Sequence, residues 1–168
     1  EGSLRDVLDK QNSLYYQYLA CFINTYKPKQ IVELGGAMGT AALCMVSQLP
    51  STAKIYSITL EEKGLEFSFI KTNYPQLTKI VGDDLNLESW PKDIDFSQTD
   101  MIFIDALHTK EQVEKEMALY LPLIGKDKIV FMDDIKMDAG MFKAWLDIKT
   151  DKLDVSVLHH SGFGMFLS

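Results

Sequence analysis

The chain has 168 residues, 46% of them apolar, two cysteines and a formal net charge of −7. That length predicts one domain with enough apolar side chains to fill a single core. The acidic balance, with Arg5 as the sole arginine, leaves no cluster for phosphates or base edges and repels anionic lipid. It argues against nucleic acid and membrane partners, and no apolar run reaches the ~18 residues of a membrane span.

From Ser3 to Tyr26 the apolar positions Leu4, Val7, Leu8, Leu14, Tyr15, Tyr18, Leu19, Phe22 and Ile23 recur at steps of three and four, which predicts one or two leading helices. The cluster Tyr15, Tyr16 and Tyr18 reads first as core, with an acceptor-pocket lining as the alternative. This helical segment also offers a surface for homodimerisation. Cys21 and Cys44 fall in apolar helical patterns without C-x-x-C or zinc spacing, the usage of buried free thiols in a reducing cytoplasm. Pro28 ends the segment.

Residues 31–40 read Ile-Val-Glu-Leu-Gly-Gly-Ala-Met-Gly-Thr and lead into an apolar run, Ala41 to Leu49, which predicts strand, tight turn and helix. Glycine suits such a turn because it takes φ > 0 and lets a ligand lie against the backbone. The helix beginning near Gly39 then aims unpaired N–H groups at the gap, so a small polar ligand is expected at the carboxyl end of this strand. The dinucleotide fingerprint G-x-G-x-x-G fails, since from Gly35 its second and third glycines would be Ala37 and Thr40. A P-loop fails too, because no lysine follows Gly39.

What remains, Glu33-x-Gly35-x-Ala37-x-Gly39, resembles motif I of the class I S-adenosylmethionine (SAM)-dependent methyltransferases, an acid followed by G-x-G-x-G. The resemblance implies that Gly35, Gly36, Ala37, Gly39 and Thr40 carry the amino-acid portion of SAM and that Glu33 organises the site beside it. Ala37 departs from the middle glycine, and an unliganded tight turn is the plain alternative.

Lys54 to Ile58 reads as the second strand. Methyltransferases of this class place a ribose-binding acid at the end of that strand; the matching position here is Thr59, with Glu61 two residues on and on the same face. Glu62 to Tyr74 predicts a helix with Leu65, Phe69 and Ile70 inward, stopped by Pro75. Thr78 to Val81 is the third strand, followed by Gly82-Asp83-Asp84; the resemblance makes Asp83 the adenine contact, with Asp84 a helix cap. Residues 85–99 predict a short helix and loop.

Met101 to Ile104 is a continuous apolar run, as in a strand buried on both faces, and ends at Asp105. Glu111 to Ile124 predicts a helix and Lys128 to Met132 a fifth strand, ending in Asp133-Asp134. Ala139 to Ile148 predicts a helix with Met141, Phe142, Trp145 and Leu146 inward. Leu153 to Ser161 and Phe163 to Leu167 read as a closing pair of strands joined at Gly162, with His159 and His160 structural.

The alternation predicts an α/β fold: a doubly wound, mostly parallel seven-stranded sheet with a final antiparallel strand and N-terminal helices, the Rossmann-like methyltransferase fold. Residues 1–168 read as a single methyltransferase-like domain, with 1–27 the helical segment and 28–168 the α/β core. Glu33, Glu61, Asp83, Asp105, Asp133 and Asp134 would all lie at the strands' carboxyl ends, where open α/β sheets bind ligands.

Asp105 and Asp133-Asp134 end neighbouring strands ~4.8 Å apart and are expected to converge on a hard cation such as Mg²⁺, Mn²⁺ or Ca²⁺. The set resembles that of the catechol O-methyltransferase family, where an acid after strand 4 and an Asp-Asn pair after strand 5 hold magnesium; Asp134 stands in place of the asparagine. The spacing Asp105-x-x-His108 is similar to that of macrocin- and cephalosporin-modifying methyltransferases and makes His108 the candidate general base. The expectation is a SAM-dependent O-methyltransferase acting on a small hydroxylated acceptor, with Asp105 and His108 catalytic and Asp105 also against the cofactor. A metal-independent enzyme of the same fold and a non-catalytic binding or assembly module are the rival readings.

Overall fold

A computed structural model describes residues 14–61 and 72–168. The expected helix over 62–74 lies almost wholly outside the described residues, as does the helical pattern before Leu14. The elements run α1 (Leu14–Tyr26), β1 (Gln30–Leu34), α2 (Thr40–Val46), β2 (Lys54–Thr59), β3 (Leu77–Val81), β4 (Met101–Ile104), α3 (Lys110–Ile124), β5 (Ile129–Asp133), α4 (Ala139–Asp147), β6 (Lys152–Asp154) and β7 (Phe163–Leu167). They build one seven-stranded sheet of order β3-β2-β1-β4-β5-β7-β6, parallel except where β7 runs antiparallel to β5 and β6. This is the doubly wound architecture expected from the alternation.

Both faces of the sheet are covered, and strand alternation assigns each side chain to one of them. Ile31, Ile55, Met101, Phe103 and Phe131 join Tyr15, Leu19 and Ile23 of α1 and most of α2 in one apolar layer. Val32, Ile58, Ile102, Ile104 and Met132 join Val113, Tyr120 and Ile124 of α3 and Met141, Ala144 and Trp145 of α4 in the other. Phe163 stacks on Phe131, ring centroids 5.1 Å apart and planes 7° from parallel, so β7 locks onto β5 through the first layer. Among the described residues, no helix is long and apolar enough to cross a membrane.

Three local expectations are corrected. On α4, Phe142 and Leu146 are exposed, and the buried stripe is Met141, Ala144 and Trp145; steps of three and four leave 142 and 146 about 100° off the core-facing line. Cys21 is exposed, and only Cys44 is a buried thiol. The expected strand Leu153–Ser161 ends at Asp154, because the Asp154 carboxylate accepts a hydrogen bond from the Ser156 amide, 2.8 Å, and turns the chain into a 3₁₀ turn over Ser156–Leu158. His159 thereby leaves the sheet.

Candidate active site

The turn after β1 is pinned from beneath. The amides of Gly35 and Gly36 both donate to the Ile58 carbonyl of β2, at 2.9 and 2.8 Å. Gly35 has φ +88°, and a Cβ there would stand 2.0 Å from the Asp105 carbonyl oxygen, so only glycine fits between β1 and β4. Ala37 takes the departure from the middle glycine at φ +26°, and its carbonyl accepts from Lys79 Nζ of β3.

Two cavities meet at this bare turn. One of about 410 Å³ is walled by Gly35, Ala37, Thr59, Gly82, Asp83, Asp84, Asp105 and Gln112. A smaller one of about 110 Å³ continues past Tyr16, Glu33, Gly36, Gly39 and Thr40, and shares Gly35, Ala37 and Asp105 with the first. Most of the residues assigned to the cofactor therefore border one continuous hollow.

Glu33 is buried beside Ile31's layer, and its Oε2 has no hydrogen-bond partner. Burial, reinforced by the charge of Asp105, pushes its carboxyl up to about 7. Glu61 is exposed and does not line the larger cavity; Thr59 does, and its hydroxyl donates to the Glu61 carbonyl at 3.4 Å. Asp83 borders the cavity while its Oδ1 holds the Leu85 amide, 2.9 Å.

Asp84 caps no α-helix. It is buried, and Gln112 of α3 donates from Nε2 both to Asp84 Oδ1 at 3.0 Å and to Glu116 Oε1 at 2.8 Å. Behind them Tyr120 donates to the Asp84 carbonyl, and Trp90 Nε1 donates to the Tyr120 hydroxyl at 2.9 Å. Burial, together with Asp84, holds the Glu116 carboxyl at about 8. Gln112 and Glu116 carry no signal in the sequence beyond polar positions on an amphipathic helix.

The acidic end of the site follows from strand parity. Phe103 and Phe131 point into the layer containing α1, so Asp105 and Asp133, two residues on, turn to the same side just beyond the paired Ile104 and Met132. α1 meets them there, with the Tyr15 hydroxyl donating to Asp133 Oδ2 at 3.2 Å. His108 folds back between two carboxylates, its Nε2 3.2 Å from Asp105 Oδ1 and its Nδ1 3.3 Å from Asp134 Oδ2. Burial alone would lower the His108 pKa, but the hydrogen bond and charge of Asp105, with Asp134 and Asp133, outweigh it and raise it. Burial, with the charges of Asp105 and Asp134, pushes the Asp133 carboxyl up to about 8.

Asp105, Asp133 and Asp134 were expected to surround one cation. Instead, His108 stands between Asp105 and Asp134. Among the described residues, the ligand atoms that converge within 4.8 Å belong to Asp133, Asp134 and His159. The shielded Asp134 Oδ1 has no hydrogen-bond partner. Two carboxylates, one of them with an unsatisfied oxygen, and an imidazole suit a divalent cation chemically. His159 was missed because an alternating run hid the turn at Asp154.

Residues 32–135 match the family model described as a methyltransferase domain, a span that contains the glycine turn, the walls of the larger cavity and both acidic strand ends. The chain belongs to this methyltransferase family. Its fold is the class I SAM-dependent one, shared with solved structures of low sequence identity. A protein from Staphylococcus aureus provisionally assigned as a caffeoyl-CoA O-methyltransferase aligns with a TM-score of 0.74 at 19% identity, covering 98% of this chain and 90% of that one. The SAH-bound methyltransferase PaMTH1 of Podospora anserina gives 0.68 at 18%, covering 90% and 76%. TomG, an O-methyltransferase of Streptomyces achromogenes involved in tomaymycin synthesis and solved with SAM, gives 0.60 at 15%, covering 91% and 78%. In this methyltransferase the hollow is floored by Gly35 and Gly36, where a Cβ would collide with the Asp105 carbonyl and Ser57 Oγ, and the buried Glu33 Oε2 beside them lacks a hydrogen-bond partner that a cofactor's amino group would supply.

Proposed function

We propose that this methyltransferase transfers the methyl group of SAM to an oxygen of a small hydroxylated molecule, assisted by a divalent cation. One observation carries the reading: Asp105 borders both halves of the hollow and also holds His108, so the cofactor cavity and a proton acceptor share a wall. Gly35, Gly36, Ala37, Gly39, Thr40 and Glu33 would take the amino-acid end of the cofactor, and Thr59, Asp83 and Asp84 the nucleoside end. The Glu61 side chain is a weaker candidate for the ribose, since it lies outside the cavity wall.

The transfer is an in-line displacement. An acceptor oxygen forms the new O–C bond as the C–S bond breaks, the electron pair goes to sulfur, and the acceptor's proton must leave. Holding both reactants against the turn supplies proximity and orientation. With Asp105 accepting from Nε2–H, Nδ1 is the nitrogen that would take the proton, once the ring turns it from Asp134 Oδ2, 3.3 Å away, toward the acceptor. Asp133 and Asp134 would hold the cation, whose chemistry there is to lower the pKa of the acceptor oxygen.

A metal-independent reaction is the second reading, favoured by His108 lying between Asp105 and Asp134 and so supplying counter-charge to both when protonated. Calorimetric titration with SAM and SAH, followed by methyl-transfer assays on small phenolic and polyhydroxylated acceptors with and without EDTA, tests both. Binding of SAM with chelator-sensitive turnover supports the proposal, and chelator-insensitive turnover supports the second reading. An absence of SAM binding overturns both and leaves a non-catalytic module.

A further inference from the structure

Resting on the reading that a divalent cation assists this enzyme, we propose that the cation is held by Asp133, Asp134 and His159, with Asp105 outside the ligand set, and that the site prefers Mn²⁺, Co²⁺ or Zn²⁺ to Mg²⁺ and Ca²⁺. His159 Nδ1 lies 3.7 Å from Asp133 Oδ1 and 3.8 Å from Asp134 Oδ1. Donors ~2.1 Å from a tetrahedral centre are about 3.4 Å apart, so His159 needs to close on each carboxylate by only a few tenths of an ångström, and the three ligand atoms already lie within 4.8 Å of one another.

Convergence and occupancy together sort the ligands, since among the described residues no Asp105 oxygen joins the converging set. Asp134 Oδ2 and Asp105 Oδ1 are engaged by His108, and Asp133 Oδ2 by the Tyr15 hydroxyl. Asp134 Oδ1 is shielded from solvent, has no hydrogen-bond partner and faces His159, an observation separate from the clustering of acids. An unmet buried oxygen of this kind costs roughly 1–3 kcal/mol, and a cation would satisfy it. Asp133 Oδ1 already receives the Asp134 amide, 2.9 Å, which leaves it a second lone pair.

The imidazole is built in rather than adventitious. Its ring packs 4.7 Å from that of Tyr15, and its loop is tied to the segment after Asp134 by the Lys136 amide donating to the Ser161 carbonyl, 2.7 Å. Gly162 permits that approach, since a Cβ there would meet the Lys136 nitrogen at 2.8 Å. Ser161 Oγ, 3.0 Å from His159 Nδ1, would rotate away as the nitrogen turns to the ion. An imidazole among carboxylates favours the later first-row ions, whereas an all-oxygen set favours Mg²⁺ and Ca²⁺.

The test uses Mn²⁺ as probe. Electron spin-echo spectra of the wild-type protein with Mn²⁺ should show ¹⁴N coupling that persists in His108→Asn and Asp105→Asn and vanishes in His159→Asn and His159→Gln. Calorimetry should show Mn²⁺ bound at least about tenfold more tightly than Mg²⁺, and weakened at least about tenfold in both His159 variants. SAH titration of each protein runs in parallel. Retained SAH binding with no ¹⁴N coupling in the wild type, with coupling lost in Asp105→Asn, or with Mg²⁺ preferred, overturns this ligand set while leaving the methyltransferase reading standing. Loss of SAH binding in the wild type instead overturns that reading.

Discussion

Tyr15 and Asp133, 118 residues apart in sequence, meet at the rim of the sheet, where the phenol donates to carboxylate Oδ2 at 3.2 Å. The helix that precedes the first strand thus holds the end of the fifth. Burial keeps the Tyr15 hydroxyl protonated well past its ordinary range, so it remains a donor wherever Asp133 is ionised.

Tyr15→Phe therefore strips a donor from a buried carboxylate. The expected loss is about 1–3 kcal/mol, read by urea unfolding at pH 7.5 and larger at pH 9, where more of Asp133 is charged. SAH affinity should change little, because Tyr15 lines neither cavity.

Gly35→Ala should abolish SAH binding. The new methyl group would meet backbone, the Asp105 carbonyl, which cannot swing aside, and the fold should lose about 1–3 kcal/mol. Gly125→Ala is the control, since Gly125 has a similar φ of +83° with nothing within 4 Å of its Cβ position. That variant should lose about 1–3 kcal/mol and bind SAH normally. Equal loss of binding in both would remove the turn from the site.

The protein without metal or cofactor should be more stable at pH 5 than at pH 9. Burial raises Glu33 to about 7 and Glu116 and Asp133 to about 8, against unfolded values near ~4. Between those limits the folded state binds more protons than the unfolded one, so stability falls as pH rises. The raised His108 acts in the same direction, its contribution present below the unfolded pKa and lost as pH rises through the folded one. Each such group contributes a slope of up to ~1.4 kcal/mol per pH unit. Urea midpoints across that range read the sum, and a midpoint that climbs toward pH 9 would contradict it.

Turnover should rise with pH through an apparent pKa above the ordinary imidazole value, because His108 must be neutral to take a proton and its carboxylate neighbours raise it. Asp105→Asn removes the main raising partner, so the rise should shift to lower pH while kcat falls. His108→Gln should lower kcat by about 10²–10⁴. An unchanged profile in Asp105→Asn would remove His108 from the proton's path.

The sheet was legible because its central strands are short apolar runs, and the address of the acids followed from their places at the strand ends. That Glu33, Asp105 and Asp133 share one face emerged only with the strand register. The partners of these acids were not legible. Whether His108 reaches Asp134 depends on how the turn after β4 folds back, and Gln112 and Glu116 look like ordinary polar helix positions until α3 is laid against Asp84. His159 was concealed by the alternation of residues 153–161, which imitates a strand that a single side-chain-to-amide hydrogen bond at Asp154 cuts short.

β7 is the last strand in sequence order, yet it lies between β5 and β6. During synthesis β5 therefore presents an unpaired border lined by Phe131 and Met132 until residues 163–167 emerge, and β6 has nowhere to attach. The loop bearing His159 joins β6 to β7, so the nascent chain is at once most prone to clumping and without the proposed cation's imidazole in place.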